Sequence, residues 1–341
     1  MSRTFTNLHQ HSDYSIGDRY CTNDESIQKN KELGYEAIAL TDHGTTTRLY
    51  AFYHKCKQSG IKPILGMEGY FCPEPEMKSG ENAHIILLAK DIDGLRNLYR
   101  LSTAAAHQFY RKPRIGIKDL EMYHEGLICT TACIAGFFNR YPDVVDSIAK
   151  LFGDDFYMEV QPHEFREQKE YNKRVYDYAV AHGYNVLVTN DSHYSSPADV
   201  TYHARWVSIR GTGDAYSSND FYMMDGEEVT QRMMRDGFSE EQVGAMIQES
   251  SNIVHKCNVE IPEGGDNYPK YNTENPERQV RDWCNEGWKR LHMGTRPNKN
   301  DYVVRVEREL PVLRRCDYLN YLCIIKDIMG HCNEHGILTG L

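Results

Sequence analysis

Seven short apolar runs punctuate the first 209 residues, at positions 4–8, 37–40, 61–65, 85–89, 127–130, 156–160 and 186–188. Several are β-branched or aromatic and nearly continuous, the pattern of parallel strands covered on both faces. The stretches between them are amphipathic at helical spacing. In residues 164–182, for example, Tyr171, Val175, Tyr178 and Ala179 recur on one face, and Gly183 is placed to end the helix. Seven strand-like runs alternating with helices predict an α/β fold, a barrel of the TIM kind with one unit fewer.

The texture changes near Arg210. Gly211, Gly213, Ser217, Ser218 and Asn219 form a polar loop, and helical patterns follow at 226–236 and 239–256, the second opening with Ser239 as N-cap and Glu240 and Glu241 in its first turn. Residues 262–275 are rich in Pro, Gly and Asn and read as a linker. Helical patterns resume at 277–292 and 301–334. Three regions are therefore expected: a barrel over 1–209, a helical and loop extension with linker over 210–275, and a mostly helical segment over 276–341.

Composition narrows the class. A chain of 341 residues with 40% apolar and 11% aromatic residues can bury a substantial core. It has no apolar run of about 18 residues, and its N-terminus lacks the apolar core of a signal peptide, so a soluble cytoplasmic protein without membrane contact is expected. Its ten cysteines are scattered, with no C-x-x-C pair, and reduced thiols are expected. A formal charge of −10 argues against a surface built for tight nonspecific DNA binding. It leaves room for phosphate chemistry, because a local cluster of cations attracts phosphate even on an acidic protein.

Candidate chemistry gathers at the ends of the runs. Residues 4–8 lead into His9 and His11, 37–40 into Asp42 and His43, 61–65 into Glu68, 127–130 into Cys133, and 186–188 into Asp191 and His193. In a parallel barrel the strand C-termini open on one face, so these distant loops converge there. Imidazole and thiolate suit zinc, manganese or iron, and carboxylates can bridge two cations. In His9-x-His11 and Asp191-x-His193, alternation along an extended segment sends both side chains to one side. Singly, each residue has an ordinary reading as a turn cap, ion-pair partner or core thiol; five strand ends sharing ligand chemistry favour the metal site. His84 fits less well, because it begins its run rather than ending it.

The same residues resemble the polymerase-and-histidinol-phosphatase (PHP) domain of bacterial and phage C-family replicative polymerases, the DNA polymerase III alpha subunits. The segments that carry the resemblance are Phe5-Thr-Asn-Leu-His-Gln-His-Ser-Asp-Tyr-Ser-Ile-Gly-Asp18, Ala39-Leu-Thr-Asp-His-Gly44, Gly60-Ile-Lys-Pro-Ile-Leu-Gly-Met-Glu68, His84-Ile-Ile-Leu-Leu-Ala-Lys90 and Thr189-Asn-Asp-Ser-His-Tyr194. Similarity continues through Lys112–Ile115, Asn258–Pro262 and 308–340, while 45–50 departs from the glycine-containing pattern usual after Asp-His-Gly. The resemblance implies a distorted (β/α)7 TIM-like barrel followed by a mostly helical C-terminal extension that resembles the start of the polymerase palm region. It also implies two or three divalent metal ions (zinc, manganese or iron, with magnesium the other candidate) on His9, His11, Asp18, His43, Glu68, His84, Cys133, Asp191 and His193.

The activity it implies is a phosphoesterase with Asp191, His193, Glu68 and Arg114 as catalytic groups, acting as a proofreading 3′–5′ exonuclease on a DNA 3′ end, or on pyrophosphate. Arg111, Lys112 and Arg114 form a basic stretch that could hold phosphate or equally be a solvated loop, and Asp42 is expected to orient His43. The aspartates of the palm are absent from this sequence, so no polymerase activity is expected from the chain alone, and a separate palm subunit or other replication proteins are the expected partners. The alternatives are a noncatalytic, metal-stabilised scaffold presenting Leu310, Leu313, Tyr318, Leu322, Ile325 and Ile328 to such a partner, or a small-molecule phosphatase on the same metal site.

Overall fold

The computed structural model describes residues 5–209, 218–265 and 268–340. The described residues form two compact units, divided between Ile261 and Pro262. The change of texture near Arg210 is therefore not a structural boundary, because residues 218–261 belong with the sheet. Most of the polar loop read at 210–219 lies outside the described residues.

The first unit is built on seven strands: β1 (Ala37–Leu40), β2 (Lys62–Phe71), β3 (Ala83–Ala89), β4 (Arg114–Ile115), β5 (Leu127–Thr130), β6 (Phe156–Val160) and β7 (Asn185–Val188). Their order is β1-β2-β3-β5-β6-β7, with β4 beside the far end of β2. Residues 5–8 join no ladder, and the two-residue β4 takes the seventh place. The N-terminal segment instead lies between the two edge strands. Thr41 N donates to Gln10 O at 2.8 Å on the β1 side, and Ser192 N donates to His9 O at 3.3 Å on the β7 side. The result is the curled, TIM-like sheet anticipated from the sequence, with a second departure. Strand β3 runs antiparallel to both β2 and β5, with Glu68 opposite Ile86 and Tyr70 opposite His84.

That reversal resolves the position of His84. The start of an antiparallel strand lies at the same end of the sheet as the finish of its parallel neighbours, so beginning its run is what brings His84 to the common face.

Alternation divides the strand residues between two cores. Ile38, Leu40, Leu65, Met67, Ile85, Leu87, Phe156, Met158 and Val188 pack outward against the helices. Ala37, Ala39, Ile64, Ile86, Leu88, Ile128, Tyr157 and Leu187 form a smaller inner cluster. Helices cover the outer face with conventional signals. Thr22 and Glu25 make a capping box at Asn23–Glu32, Asp91 caps Ile92–His107, and Ser239 caps Glu240–Lys256 as expected. Gly183, at φ 72°, ends Arg166–His182.

The second unit contains the helices Pro276–Arg290, Lys299–Arg315 and Leu319–Glu334. Its buried core is small: Val280, Leu310, Leu319 and Cys323. Of the apolar stripe read from the sequence, Leu310 is buried, Leu313 and Leu322 pack against this core, and Tyr318, Ile325 and Ile328 are exposed. Among the described residues no helix is long and apolar enough to cross a membrane.

Candidate metal centre

Along each inner face the residues change from apolar to ligand-bearing toward one end of the sheet. Ala37 and Ala39 are followed at the same two-residue spacing by Thr41 and His43, Ile64 and Gly66 by Glu68, Tyr157 by Glu159, and Leu187 by Thr189 and Asp191; in the reversed β3, Leu88 and Ile86 precede His84. A period-2 pattern therefore continues from the inner core directly into a polar basin. Cys133 arrives from the turn after β5. There Gly136 N donates to Cys133 O at 2.7 Å, and a Cβ at Gly136 would lie 1.9 Å from Thr131 O, so only glycine allows the turn to fold back on itself.

The structure brings all nine sequence-predicted ligands into one connected cluster centred on Glu68. His9 Nε2 lies 3.2 Å from Glu68 Oε1 and 3.3 Å from Asp191 Oδ1, and His11 Nε2 lies 3.4 Å from Glu68 Oε2 and 3.2 Å from Asp191 Oδ1. His84 Nδ1 is 2.7 Å from Glu68 Oε1, and His43 Nδ1 meets Glu68 Oε2. Asp18 Oδ2 spans His43 Nε2 at 2.5 Å and His193 Nε2 at 3.2 Å, and Cys133 Sγ lies 3.3 Å from His84 Nδ1. Three subsets, His9–His11–Asp191, His11–His43–His193 and His43–Glu68–His84, each hold their ligand atoms within 4.8 Å of one another.

Hydrogen bonding does not account for this convergence. Outside their contacts with one another, His9 Nε2, His11 Nε2, His43 Nδ1, both oxygens of Glu68 and Asp191 Oδ1 are buried with no hydrogen-bond partner. Each such atom costs about 1–3 kcal/mol if left unsatisfied. Six of them facing a shared space, with imidazole and carboxylate chemistry, fit divalent cations. Asp191 adds backbone strain, at φ 33° for a non-glycine residue. Its left-handed backbone departs from the extended segment expected for Asp191-x-His193, although both side chains still reach the basin.

The electrostatics match a set of groups crowded together. Burial opposes charge on His9, but Asp191, Glu159 and Glu68 outweigh it and hold its pKa well above the usual range. For His43, burial is likewise overcome by Glu68 and Asp18. His11, buried and facing the positive His43, falls to about 3. Glu68 is held well below the carboxylate range despite its burial, by His84, His43 and His9. Burial, Glu68 and Asp191 all push the Cys133 thiol upward. A cation among these groups would reverse several of these preferences by displacing the protons.

Several residues around the cluster were not identified from the sequence. Glu159 is fully buried and lies 2.7 Å from His9 Nδ1. Its signal was a lone carboxylate inside the apolar run 156–160. Asp42 acts less directly than expected: it accepts from Ser12 N (2.6 Å), Ser12 Oγ (2.7 Å) and Ser15 Oγ (2.9 Å). Ser15 Oγ in turn accepts from His43 N at 3.1 Å and lies 3.2 Å from His11 Nδ1. His203 donates from Nε2 to Asp18 O at 2.7 Å, anchoring that ligand's backbone.

The basic stretch divides by residue. Arg114 is completely buried, and its guanidinium donates to Asn82 Oδ1 (2.6 Å), Ser79 O (2.8 Å) and Gly80 O (3.0 Å). It braces the loop before β3, which engages three of its five N–H donors. Arg111 is exposed and stacks over Tyr110. Lys112 is half-buried, and its Nζ lies 3.2 Å from Tyr70 Oη. The Tyr70 ring stacks parallel to His43 at 5.9 Å and meets His84 edge-on at 5.5 Å. Lys112 is thus the member of the stretch that approaches the ligands.

The chain has relatives among known proteins. Residues 7–163 match the PHP domain. The chain is 31% identical over its whole length to DNA polymerase III subunit alpha of Aquifex aeolicus, covering 32% of that protein. It is 39% identical over 66% of its length to the same subunit of Borreliella burgdorferi, covering 22% of it. The chain therefore spans a third or less of the length of these curated relatives. A solved structure from Bifidobacterium adolescentis, provisionally named a metal-dependent phosphoesterase, is 15% identical, with a TM-score of 0.40 over 69% of this chain and 96% of that one.

Proposed function

The chain carries a PHP domain and is homologous to DNA polymerase III alpha subunits, and from that premise we propose that its basin is the divalent-metal centre of a phosphoesterase acting on a DNA 3′ end, as a 3′–5′ exonuclease. The observation that carries this reading is the set of six buried polar atoms that face one another and have no hydrogen-bond partner outside the cluster. Two or three cations held by His9, His11, Asp18, His43, Glu68, His84, Cys133, Asp191 and His193 would supply Lewis-acid charge to the phosphoryl group and its leaving oxygen. Glu68, in contact with His9, His11, His43 and His84, would be the carboxylate that helps to hold more than one of the cations. Asp191 joins His9 to His11 at the deep side. His193 keeps Nε2 toward Asp18 and holds its other nitrogen, Nδ1, 2.8 Å from Asp191 O.

His43 and His84 retain side-chain exposures of 14% and 20%, against 0% for His9 and His11. A phosphate entering the basin meets His43 and His84 first. Lys112, beside Tyr70, is the cation placed to hold that phosphate by a charge-assisted hydrogen bond.

The test is elemental analysis of the purified protein, followed by assay on a 3′-labelled primer and on pyrophosphate with zinc, manganese, iron or magnesium. Bound metal with stepwise release of 3′ nucleotides supports the exonuclease; phosphate release from pyrophosphate alone assigns the site to the smaller substrate. The exposed apolar side chains Tyr318, Tyr321, Ile325 and Ile328 favour a second reading, a noncatalytic metal-stabilised module that docks a polymerase or another replication protein. Bound metal without turnover of any phosphoester supports that reading.

A further inference from the structure

The geometry points to Glu159 as the positioning residue that fixes His9 as an Nε2 ligand. The inference rests on the metal-centre reading and adds a specific role to a residue outside the nine. Glu159 lies in β6 with no solvent exposure. Its carboxylate meets donors on both oxygens: Thr189 Oγ1 at 2.6 Å and Gln161 Nε2 at 3.0 Å on Oε1, and the Thr130 hydroxyl on Oε2. Thr130 and Thr189 come from the strand β5 and the end of β7 that flank β6 on either side, so the carboxylate is held from two neighbouring strands.

His9 Nδ1 completes the set, 2.7 Å from Oε1. A carboxylate so placed accepts, so Nδ1 carries the proton and donates it. Gln161 Nε2 also approaches His9 Nδ1, at 3.4 Å, but two donors do not bond to each other, and its 3.0 Å contact with Glu159 is the shorter. With Nδ1 committed, the other ring nitrogen, Nε2, is the one aimed at Glu68 and Asp191, and it is the one left without a hydrogen bond. Outer carboxylates on metal-bound histidine fix the tautomer and ring orientation in this way, and their loss typically lowers metal affinity about 10–100-fold. In this basin the support comes from the floor of the sheet rather than from a loop.

The experiment uses zinc as the probe, because imidazole binds it well and it is diamagnetic. Zinc affinity is measured by chelator competition for the unaltered chain, for Glu159→Gln and for Leu101→Ala. Glu159→Gln keeps the shape but presents an amide that can donate to Nδ1, and affinity is expected to fall about 10–100-fold. Leu101→Ala opens a cavity in the outer core, away from the cluster and from Glu159; it is expected to lower Tm while leaving zinc affinity within about twofold, separating positioning from general stability. Nitrogen-15 spectra of histidine in the zinc-loaded, unaltered chain supply a readout that requires no variant to fold, and are expected to show His9 protonated at Nδ1 and metal-bound at Nε2. Zinc bound equally tightly by Glu159→Gln, or His9 bound through Nδ1, overturns the role of Glu159 and leaves the metal centre standing. An unaltered chain that takes up no zinc, manganese or iron overturns both.

Discussion

The deep side of the basin and its rim hold their histidines differently. At the deep side, His9 and His11 are fully buried, and the nitrogen of each that points away from the cluster is engaged, by Glu159 and by Ser15. At the rim, His43 turns both nitrogens to carboxylates of the cluster, Glu68 and Asp18, and His84 Nδ1 faces both Glu68 and Cys133. The deep ligands are therefore preorganised by the sheet, while the rim ligands are held mainly by one another. Preorganised ligands lose less freedom on taking up an ion. The deep subset, His9–His11–Asp191, should retain its cation longest, and the rim should exchange ions and meet substrate.

The largest effect that would test this contrast is expected from Asp191→Asn, which removes a deep carboxylate at nearly constant shape. Turnover of a chromogenic phosphodiester should fall by roughly a thousandfold, about 4 kcal/mol of transition-state stabilisation, with the circular dichroism spectrum unchanged. Comparable activity in this variant would remove Asp191 from the site. His84→Ala should be milder, a loss on the order of a hundredfold, with at least one ion per chain still present by elemental analysis. Complete loss of metal from His84→Ala would erase the distinction between deep side and rim.

A third effect concerns pH in the metal-free protein. His9, His43 and His193 have folded-state pKa values raised, against the effect of burial, by neighbouring carboxylates. Their contribution to stability is fully present below their ordinary value of 6.5 and is lost as pH rises through the raised values. His11 and His203, lowered to about 3 and about 4 mainly by burial, act only below 6.5, where the unfolded chain takes up their protons preferentially. Tm of the metal-free chain should therefore peak near pH 6.5 and fall by a few degrees toward pH 9, about 2–4 °C for each kcal/mol lost. Metal loading should remove that decline, since cations bind deprotonated ligands. A metal-free Tm that rises above pH 7 would contradict the charge assignments. The smallest effect is expected for Lys112→Ala: KM for an oligonucleotide should rise about fivefold, near 1 kcal/mol, with kcat little changed. An equal change in kcat would give Lys112 a role in the chemical step.

The same contrast explains what could be read from the sequence. The convergence of His, Asp, Glu and Cys side chains was legible because barrel geometry gathers strand ends irrespective of their spacing, and the nine side chains do meet; that they hold metal is the proposal the predictions test. His84 looked misplaced because nothing local distinguishes an antiparallel strand from a parallel one when both faces are buried; the apolar run 85–89 reads the same in either direction. Glu159 escaped notice because its four partners, His9, Thr130, Gln161 and Thr189, lie up to 150 positions away from it and make sense only once the sheet is curled. The surroundings of Arg114 were hidden for a related reason. Its charge is visible in the sequence, whereas the carbonyls of Ser79 and Gly80 that occupy it are set by a loop more than thirty residues away. Residues 218–261 changed texture because helices replaced strands, yet Val243, Met246 and Ile247 complete the outer core of the sheet.

The central claim is that side chains from β2, β3, the N-terminal segment and the loops that follow β1, β5 and β7 hold cations in common. Anomalous diffraction from crystals of the protein loaded with manganese or zinc tests it most directly. Peaks are expected between His9, His11, Asp191 and Glu68, with at least one more toward His43 and His84. Crystals grown at saturating metal with no anomalous peak among these side chains would contradict the account.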